Sequence, residues 1–435
     1  MRNLQILARV PDLARWIRPG DRVVCGQVGA EPLTLTRALV AQRHALRGAE
    51  VFVGSMFSDT FTREHADVFR FRSYGAMAKA APLADTGALQ VVPIHYSELE
   101  PAFEQGTLQA DVVLLQLAPP RAGSTGDALG GRYSFGSAHD YVVAAARRAR
   151  VVIAEIHPEA PWSHGAEVPD DFRIDVAVAA DAAPVDIPTA QAGEIERRIA
   201  ALIAERIPDG AVLQTGIGSL PDAVLAGLGG HRELGVHSGM IGDGVIELIE
   251  AGVLTNARKN IDAGVSVTNL VAGTGRARRH VDGNPAFRLM RGVYSHGAEV
   301  IAALDRFHSI NSALEVDLSG QVNAEGLAGK LRGGVGGMND FVRGARRSKG
   351  GRSILALPAT AAGGKLSRIV PQLSGPATVT RSDVDLVVTE HGVADLRHCD
   401  LAQRAERLVA IAAPQFREAL ERVLREPGSW PQGEK

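Results

Sequence analysis

Two apolar runs in the middle of the chain each end in a glycine-rich turn that opens a helix. This junction restricts the fold more than any other feature. The first run reads Leu213-Gln214-Thr215-Gly216-Ile217-Gly218-Ser219-Leu220-Pro221, and the second reads Leu234-Gly235-Val236-His237-Ser238-Gly239-Met240-Ile241-Gly242-Asp243-Gly244-Val245. A strand that ends in glycine and hands over to a helix is typical of an open parallel sheet. There, ligands bind beyond the carboxyl ends of the strands, where backbone amides and helix N-termini converge on an anionic group. Such a junction is expected to hold a phosphorylated cofactor beside reacting groups.

The rest of the chain has the same rhythm. Continuous apolar, β-branched runs at Arg22–Val28, Glu50–Val53, Leu89–Ile94, Asp111–Leu117 and Val151–Ile156 alternate with helical stretches such as Leu33–Leu46 and Asp140–Arg148. Strands without polar alternation are buried on both faces, so the fold class is α/β with mostly parallel sheets. The Ala-, Asp- and Pro-rich segment Ala180–Pro188 reads as a linker, after which the pattern restarts. Strands are expected at Ala211–Thr215, Leu234–His237, Ser309–Asp317, Ser353–Leu357 and Asp385–Thr389. The two halves also share strand-end patterns: Val28-Gly29-Ala30-Glu31-Pro32 parallels Ile217-Gly218-Ser219-Leu220-Pro221, with Gly and Pro at the same spacing. Two similar open α/β domains, residues 1–183 and 184–435, are expected to face each other across a cleft.

Composition narrows the function. A net charge of −2 on 435 residues gives no electrostatic case for nucleic acid, and the short Arg clusters at 147–148 and 276–279 read as solvated faces. No run reaches the ~18 apolar residues of a membrane span, and the N-terminus lacks a signal core, so a cytoplasmic location is expected. Two cysteines, Cys25 and Cys399, are too few for a disulfide framework or a four-ligand zinc site. The histidines, among them His237, His296 and His391, lack helical zinc-pair spacing, so no metal is expected.

Neither a Gly-x-Gly-x-x-Gly dinucleotide fingerprint nor a phosphate loop is present. The pair Gly216 and Gly218 is either a structural tight turn or a place where backbone approaches a ligand. Gly333-Gly334-Val335-Gly336-Gly337 concentrates four glycines in five residues. That entropic cost suits close approach to a ligand or amides aimed at an oxyanion, the alternative being a flexible loop. Glu315 and Asp317 share one strand face, solvent-facing or functional, and Asn323 either meets a ligand or caps its turn.

In this order the blocks Leu213–Leu225, Leu234–Asn256, Asn311–Asn323, Gly333–Phe341, Ser353–Pro358, Ser367–Val370 and Val388–Ala394 resemble the acetyl-CoA hydrolase/transferase family. That family includes 4-hydroxybutyrate, butyrate and acetate CoA-transferases. The resemblance implies two CoA-transferase domains with the active site between them, coenzyme A as part of an acyl-CoA substrate, and a carboxylate as acceptor. In the family a glutamate attacks the thioester. An anhydride and then a glutamyl-CoA thioester follow, before a second carboxylate takes the CoA. Carried over residue by residue, Gly216, Ile217, Gly218 and Pro221 match the CoA-contacting turn, Gly333, Gly336 and Gly337 match the second glycine loop, and Ala313 lies near the thioester.

The family's glutamate position holds Gly239 here, which has no nucleophile. Glu31, at the end of a strand of the opposite half and just before a helix N-terminus, is the candidate replacement, with Ser238 as a positioning group. Hydrolysis by water with Glu31 or Asp243 as base, and acyl-CoA binding without turnover, are the other readings. The loop Phe57–Tyr74 carries Arg63, Arg70 and Arg72, which either hold a second carboxylate on the substrate or are solvated. A homodimer is expected from the frequency of twofold oligomers.

Overall fold

The computed structural model describes residues 4–121 and 131–425. It contains two eight-stranded sheets. The first is built from β1 (Ile6–Leu7), β2 (Arg22–Cys25), β3 (Glu50–Phe52), β4 (Arg70–Ser73), β5 (Leu89–Val91), β6 (Val112–Leu117), β7 (Val151–Ile156) and β8 (Val176–Ala179), in the order β1-β8-β7-β6-β2-β3-β4-β5. The second contains β9 (Val212–Thr215), β10 (Gly235–Ile241), β11 (Ser266–Val271), β12 (Phe287–Leu289), β13 (Phe307–Ser312) and the strands Arg352–Ala356, Leu386–Thr389 and Gly392–Asp395. Its order is β12-β11-β10-β9-β13, followed by those last three strands in sequence.

Both sheets follow one plan. The chain lays down four neighbouring strands outward (β2 to β5, or β9 to β12), then crosses back to place β6, or β13, against the other side of the first. The reversal falls between β2 and β6 in one half and between β9 and β13 in the other. At such switch points a crevice opens beyond the carboxyl ends of the strands. The sheets differ at one edge, where β1 pairs parallel to β8 but Gly392–Asp395 pairs antiparallel to Leu386–Thr389.

Every residue of β6 and β7 is buried, as continuous apolar strands covered on both faces require. The largest apolar cluster runs without a break from Val24, Phe52, Val113 and Leu115 of the first sheet to Leu213, Val236, Ile310 and Ala356 of the second, so the two halves share a core. Separate clusters cover the other faces, around Leu35, Val51 and Leu114 in one half and around Leu355, Val387 and Leu408 in the other.

Several local expectations need correction. The Ser309–Asp317 run is two strands in different sheets. β13 leaves its sheet after Ser312, and Glu315–Asp317 pairs with Val322–Asn323 and Ile369–Val370. Glu315 and Asp317 are buried rather than solvated, the first accepting from Ser374 Oγ at 2.8 Å and the second from Ser319 Oγ at 2.6 Å. Asn323 caps its own turn, its Oδ1 accepting the amides of Glu325 and Gly326. The Leu33–Leu46 helix stops at Ala41 and continues as a 3-10 turn over Arg43–Leu46. Arg278 is buried rather than solvated, and its Nη1 meets Asp186 Oδ1 at 2.7 Å.

Candidate active site

A cavity of ≈ 620 Å³ lies between the halves beyond the ends of β9 and β10. The first half contributes Ser55, Phe57, Met77 and Ala78, and the second contributes Thr215–Gly218, Asp222, Leu225, Met240, Gly242, Asp243 and Ala272. Asp186, Ile187, Pro188 and Thr189 also line it, so the segment expected to be a plain linker forms part of the wall. The size is that of a small-molecule cleft.

The glycine turn is built for backbone approach. Gly218 has φ 114°, a conformation other residues rarely adopt, and a Cβ placed there would meet nothing within 4 Å. The turn is therefore glycine for its backbone shape and opens onto free space. Gly218 is also the N-cap of the Ser219–Gly227 helix, where no side chain caps the first-turn amides. Those unsatisfied amides and the helix dipole favour an anion or a polarised oxygen. Pro221 packs beneath the turn, its Cγ 3.8 Å from a Cβ on Gly216. Ser238 is fully buried and donates to the Thr215 carbonyl at 3.1 Å, which ties the end of β9 to β10.

Three acids line this cavity, and each already has a partner. Asp243 accepts the amides of Thr274 and Ala277, holding the N-terminus of the next helix. Asp186 pairs with Arg278. Asp222 accepts the Ala190 amide at 2.9 Å, and burial followed by the charges of Asp243 and Glu247 pushes its carboxyl above the ordinary range.

Glu31 is not among the cavity-lining residues. It sits one layer behind the Phe57 wall, 5% exposed, its Oε1 accepting the Phe57 amide at 2.6 Å and the Ser58 amide at 3.3 Å. Burial pushes its carboxyl up, and hydrogen bonds from Ser58 and Phe57 pull it partly back. The turn before it is strained. Val28 holds φ 55°, which β-branched residues avoid at a cost on the order of 1–3 kcal/mol, and its amide is anchored to the Ser55 carbonyl at 3.0 Å.

A fully satisfied polar network lies under Ser55. Buried Gln27 accepts from the Ser55 amide and Tyr74 Oη through Oε1, and donates to Tyr96 Oη and Asp140 Oδ2 through Nε2. Both lone pairs and both N–H groups are used. Tyr96 Oη in turn donates to Asn269 Oδ1 of the second half at 2.8 Å. The wall that carries Ser55 is thus tied rigidly across the domain junction.

Gly239 faces away from the cavity. Successive strand residues point to opposite faces, and Met240 is the one on the cavity side. A Cβ at Gly239 would lie 2.6 Å from His296 Nε2, and one at Gly337 would lie 2.8 Å from the same atom. The His296 ring is wedged between the two glycines, with Tyr96 4.5 Å and Phe341 4.7 Å away centroid to centroid, and its Nδ1 meets Ser295 Oγ at 2.9 Å. Burial, reinforced by nearby His237, lowers its pKa to about 3, so the ring is neutral.

The 333–337 loop makes its close approaches to protein. Gly333 accepts the Ala76 amide at 2.8 Å, a Cβ at Gly334 would stand 2.7 Å from Gly75 Cα, and Gly336 accepts the Tyr96 amide at 2.9 Å. These glycines seat the second half on the first. Ala313 is buried where β13 ends, bonded to the Ala356 carbonyl, and does not line the cavity. The structure thus gathers Gly216, Ile217 and Gly218 at the cavity, with Pro221 and Ser238 supporting them, and sets Gly239 and Gly337 around His296. Sequence reasoning missed Asp222, Met77 and His296. Asp222 was signalled only as a first-turn acid, and His296 belongs to no motif. Among the described residues, no group of three or more His, Cys, Asp or Glu could hold a metal ion, and no helix is long and apolar enough to cross a membrane.

Comparison with known proteins fits this geometry. Residues 4–186 match the acetyl-CoA hydrolase/transferase N-terminal domain and residues 273–424 the C-terminal domain of the same family. The 4-hydroxybutyrate coenzyme A transferase of Clostridium kluyveri is 38% identical over 404 residues, 92% of each chain. The butyryl-CoA:acetate CoA-transferase of Anaerostipes caccae is 30% identical across 99% of this chain and 98% of its own. Among solved structures, RipA from Yersinia pestis has a TM-score of 0.87 at 30% identity, over 96% of both chains. With both domains matched and the likeness spanning nearly its full length, this chain belongs to the acetyl-CoA hydrolase/transferase family, a family of enzymes.

Proposed function

We propose that this chain moves CoA between a small acyl-CoA and a carboxylate acceptor in the cleft beside Gly216–Gly218, by way of an enzyme carboxylate. The observation that carries the reading is the cavity between the halves, where an open glycine turn and an uncapped helix N-terminus meet a wall supported by Glu31. Gly216, Ile217, Gly218 and Pro221 are the CoA-binding turn.

Glu31 is the candidate nucleophile; its carboxyl lies behind the Phe57 wall, so attack on a thioester in the cavity needs the Phe57–Ser58 segment to move aside. Its neighbours Val28 and Ala30 belong to one apolar cluster with the cavity residues Phe57, Ile187, Ile217, Met240 and Ala272. A carboxylate oxygen attacks the thioester carbonyl, the C–S bond breaks, and CoA leaves as thiolate from an acyl-glutamyl anhydride. The thiolate then attacks the glutamyl carbonyl, releasing the donor acid as its carboxylate and leaving a glutamyl-CoA thioester. The acceptor carboxylate reverses these two steps. A carboxylate needs no base for this, since it is already ionised when it attacks. Backbone amides at the glycine turn would stabilise each tetrahedral oxyanion, a contribution of roughly 2.7–4 kcal/mol per donor in other systems.

One observation favours hydrolysis as a second reading. Glu31 Oε1 already carries two amide hydrogen bonds, so water is the alternative acyl acceptor, with Glu31 or Asp243 as base. Incubation of butyryl-CoA with labelled acetate separates the readings. Labelled acetyl-CoA without free thiol supports transfer, whereas thiol released without acetate supports hydrolysis. CoA binding with neither product overturns both.

A further inference from the structure

We infer that the site takes monocarboxylic substrates with an apolar tail and rejects dicarboxylic ones; this rests on the cleft being the site of CoA exchange. Beside the glycine turn the cavity lining includes the apolar side chains of Phe57, Met77, Leu225 and Met240. Two of these are methionines, whose unbranched side chains adapt to chains of different shape. Among the described residues that line the cavity there is no Lys, Arg or His, while Asp186, Asp222 and Asp243 put three carboxylates there.

The two ends of a substrate therefore meet different conditions. A reacting carboxylate or thioester carbonyl at the glycine turn finds the free amides of the Ser219–Gly227 helix. A second carboxylate at the tail would lose water against Met77 and Met240 with no cation to replace it, and would lie in the field of Asp222 and Asp243. An unpaired charge buried in this way is strongly disfavoured, whereas a methyl group there gains from burial. The arginines of the 57–74 segment do not relieve this. Arg63, Arg70 and Arg72 are absent from the cavity wall, and Arg72 Nη1 lies 3.5 Å from Glu50 Oε1.

Butyryl-CoA and succinyl-CoA make a matched test, because they differ in a terminal methyl against a carboxylate on four-carbon acyl groups. The full chain is assayed for kcat/KM with acetate as acceptor, and for Kd with each thioester and with free CoA. The expected result is a preference for butyryl-CoA of at least about a hundredfold in kcat/KM, with a preference of the same sign in Kd. Met240→Arg, which places a cation in the apolar wall, should narrow the ratio at least about tenfold. Met77→Lys makes the same test from the other half if the first variant does not fold. Equal values for the two thioesters overturn the inference and leave CoA exchange standing. Tighter binding of butyryl-CoA with no product from either thioester supports the inference and removes the exchange reading.

Discussion

The imidazole of His296 stands where a side chain at residue 239 would have to go, its Nε2 2.6 Å from the Cβ position of Gly239. The two residues are a matched pair, since the ring fits because the strand is bare. Gly239→Ala should therefore cost about 1–3 kcal/mol of stability, the usual range for overpacking a filled core. His296→Ala in the same chain should recover part of that loss. A double-mutant cycle by urea unfolding checks it, and additive costs would mean that the two sites are not coupled.

Gln27 spends all four of its hydrogen-bonding groups on Ser55, Tyr74, Tyr96 and Asp140. Gln27→Leu keeps the volume and removes every partner, leaving buried groups unsatisfied at about 1–3 kcal/mol each. A loss of about 3 kcal/mol or more in urea unfolding is expected. A loss below about 1 kcal/mol would show that the network is not rigid.

The domain junction has a pH signature at Asp340. Its carboxylate accepts from Ser97 Oγ at 2.8 Å and from the Ser97 amide at 3.2 Å, yet burial raises its pKa to about 6. A carboxyl whose folded pKa lies above its unfolded value of about 3.9 contributes stability that is full at low pH and lost as pH rises through 6. Asp340→Asn cannot titrate. The melting temperature of the native chain relative to this variant should rise as pH falls from 7.5 to 5. A constant difference would remove Asp340 as the source.

Glu31→Gln should lower CoA exchange by about 10³-fold or more, the scale of losing a nucleophile, while leaving the Kd for CoA unchanged. The amide oxygen of the substituted side chain can still accept from Phe57, so the wall should persist. Retained turnover would take Glu31 out of the chemistry.

Much of the fold could be read from the residues, because strands buried on both faces, such as Val112–Leu117 and Val151–Ile156, are continuous apolar runs. Strand β4, Arg-Phe-Arg-Ser, could not: its flanking arginines hide a strand that β3 and β5 enclose. Strand β10 runs past Gly239 to Ile241 because β11 pairs with it up to Val271, a tertiary constraint no local pattern carries. At the site, the Gly216–Gly218 turn was legible from its glycines. The role of Gly337 was not, since a glycine facing a ligand and one facing a histidine look alike in sequence.

The most direct test asks whether CoA becomes bonded to the protein. The chain is mixed with butyryl-CoA without acceptor, quenched in acid, digested and examined by mass spectrometry. The expected result is a CoA thioester on the peptide that contains Glu31, lost on addition of acetate. Consumption of butyryl-CoA with no CoA or acyl adduct on any carboxylate would contradict exchange through an enzyme acid.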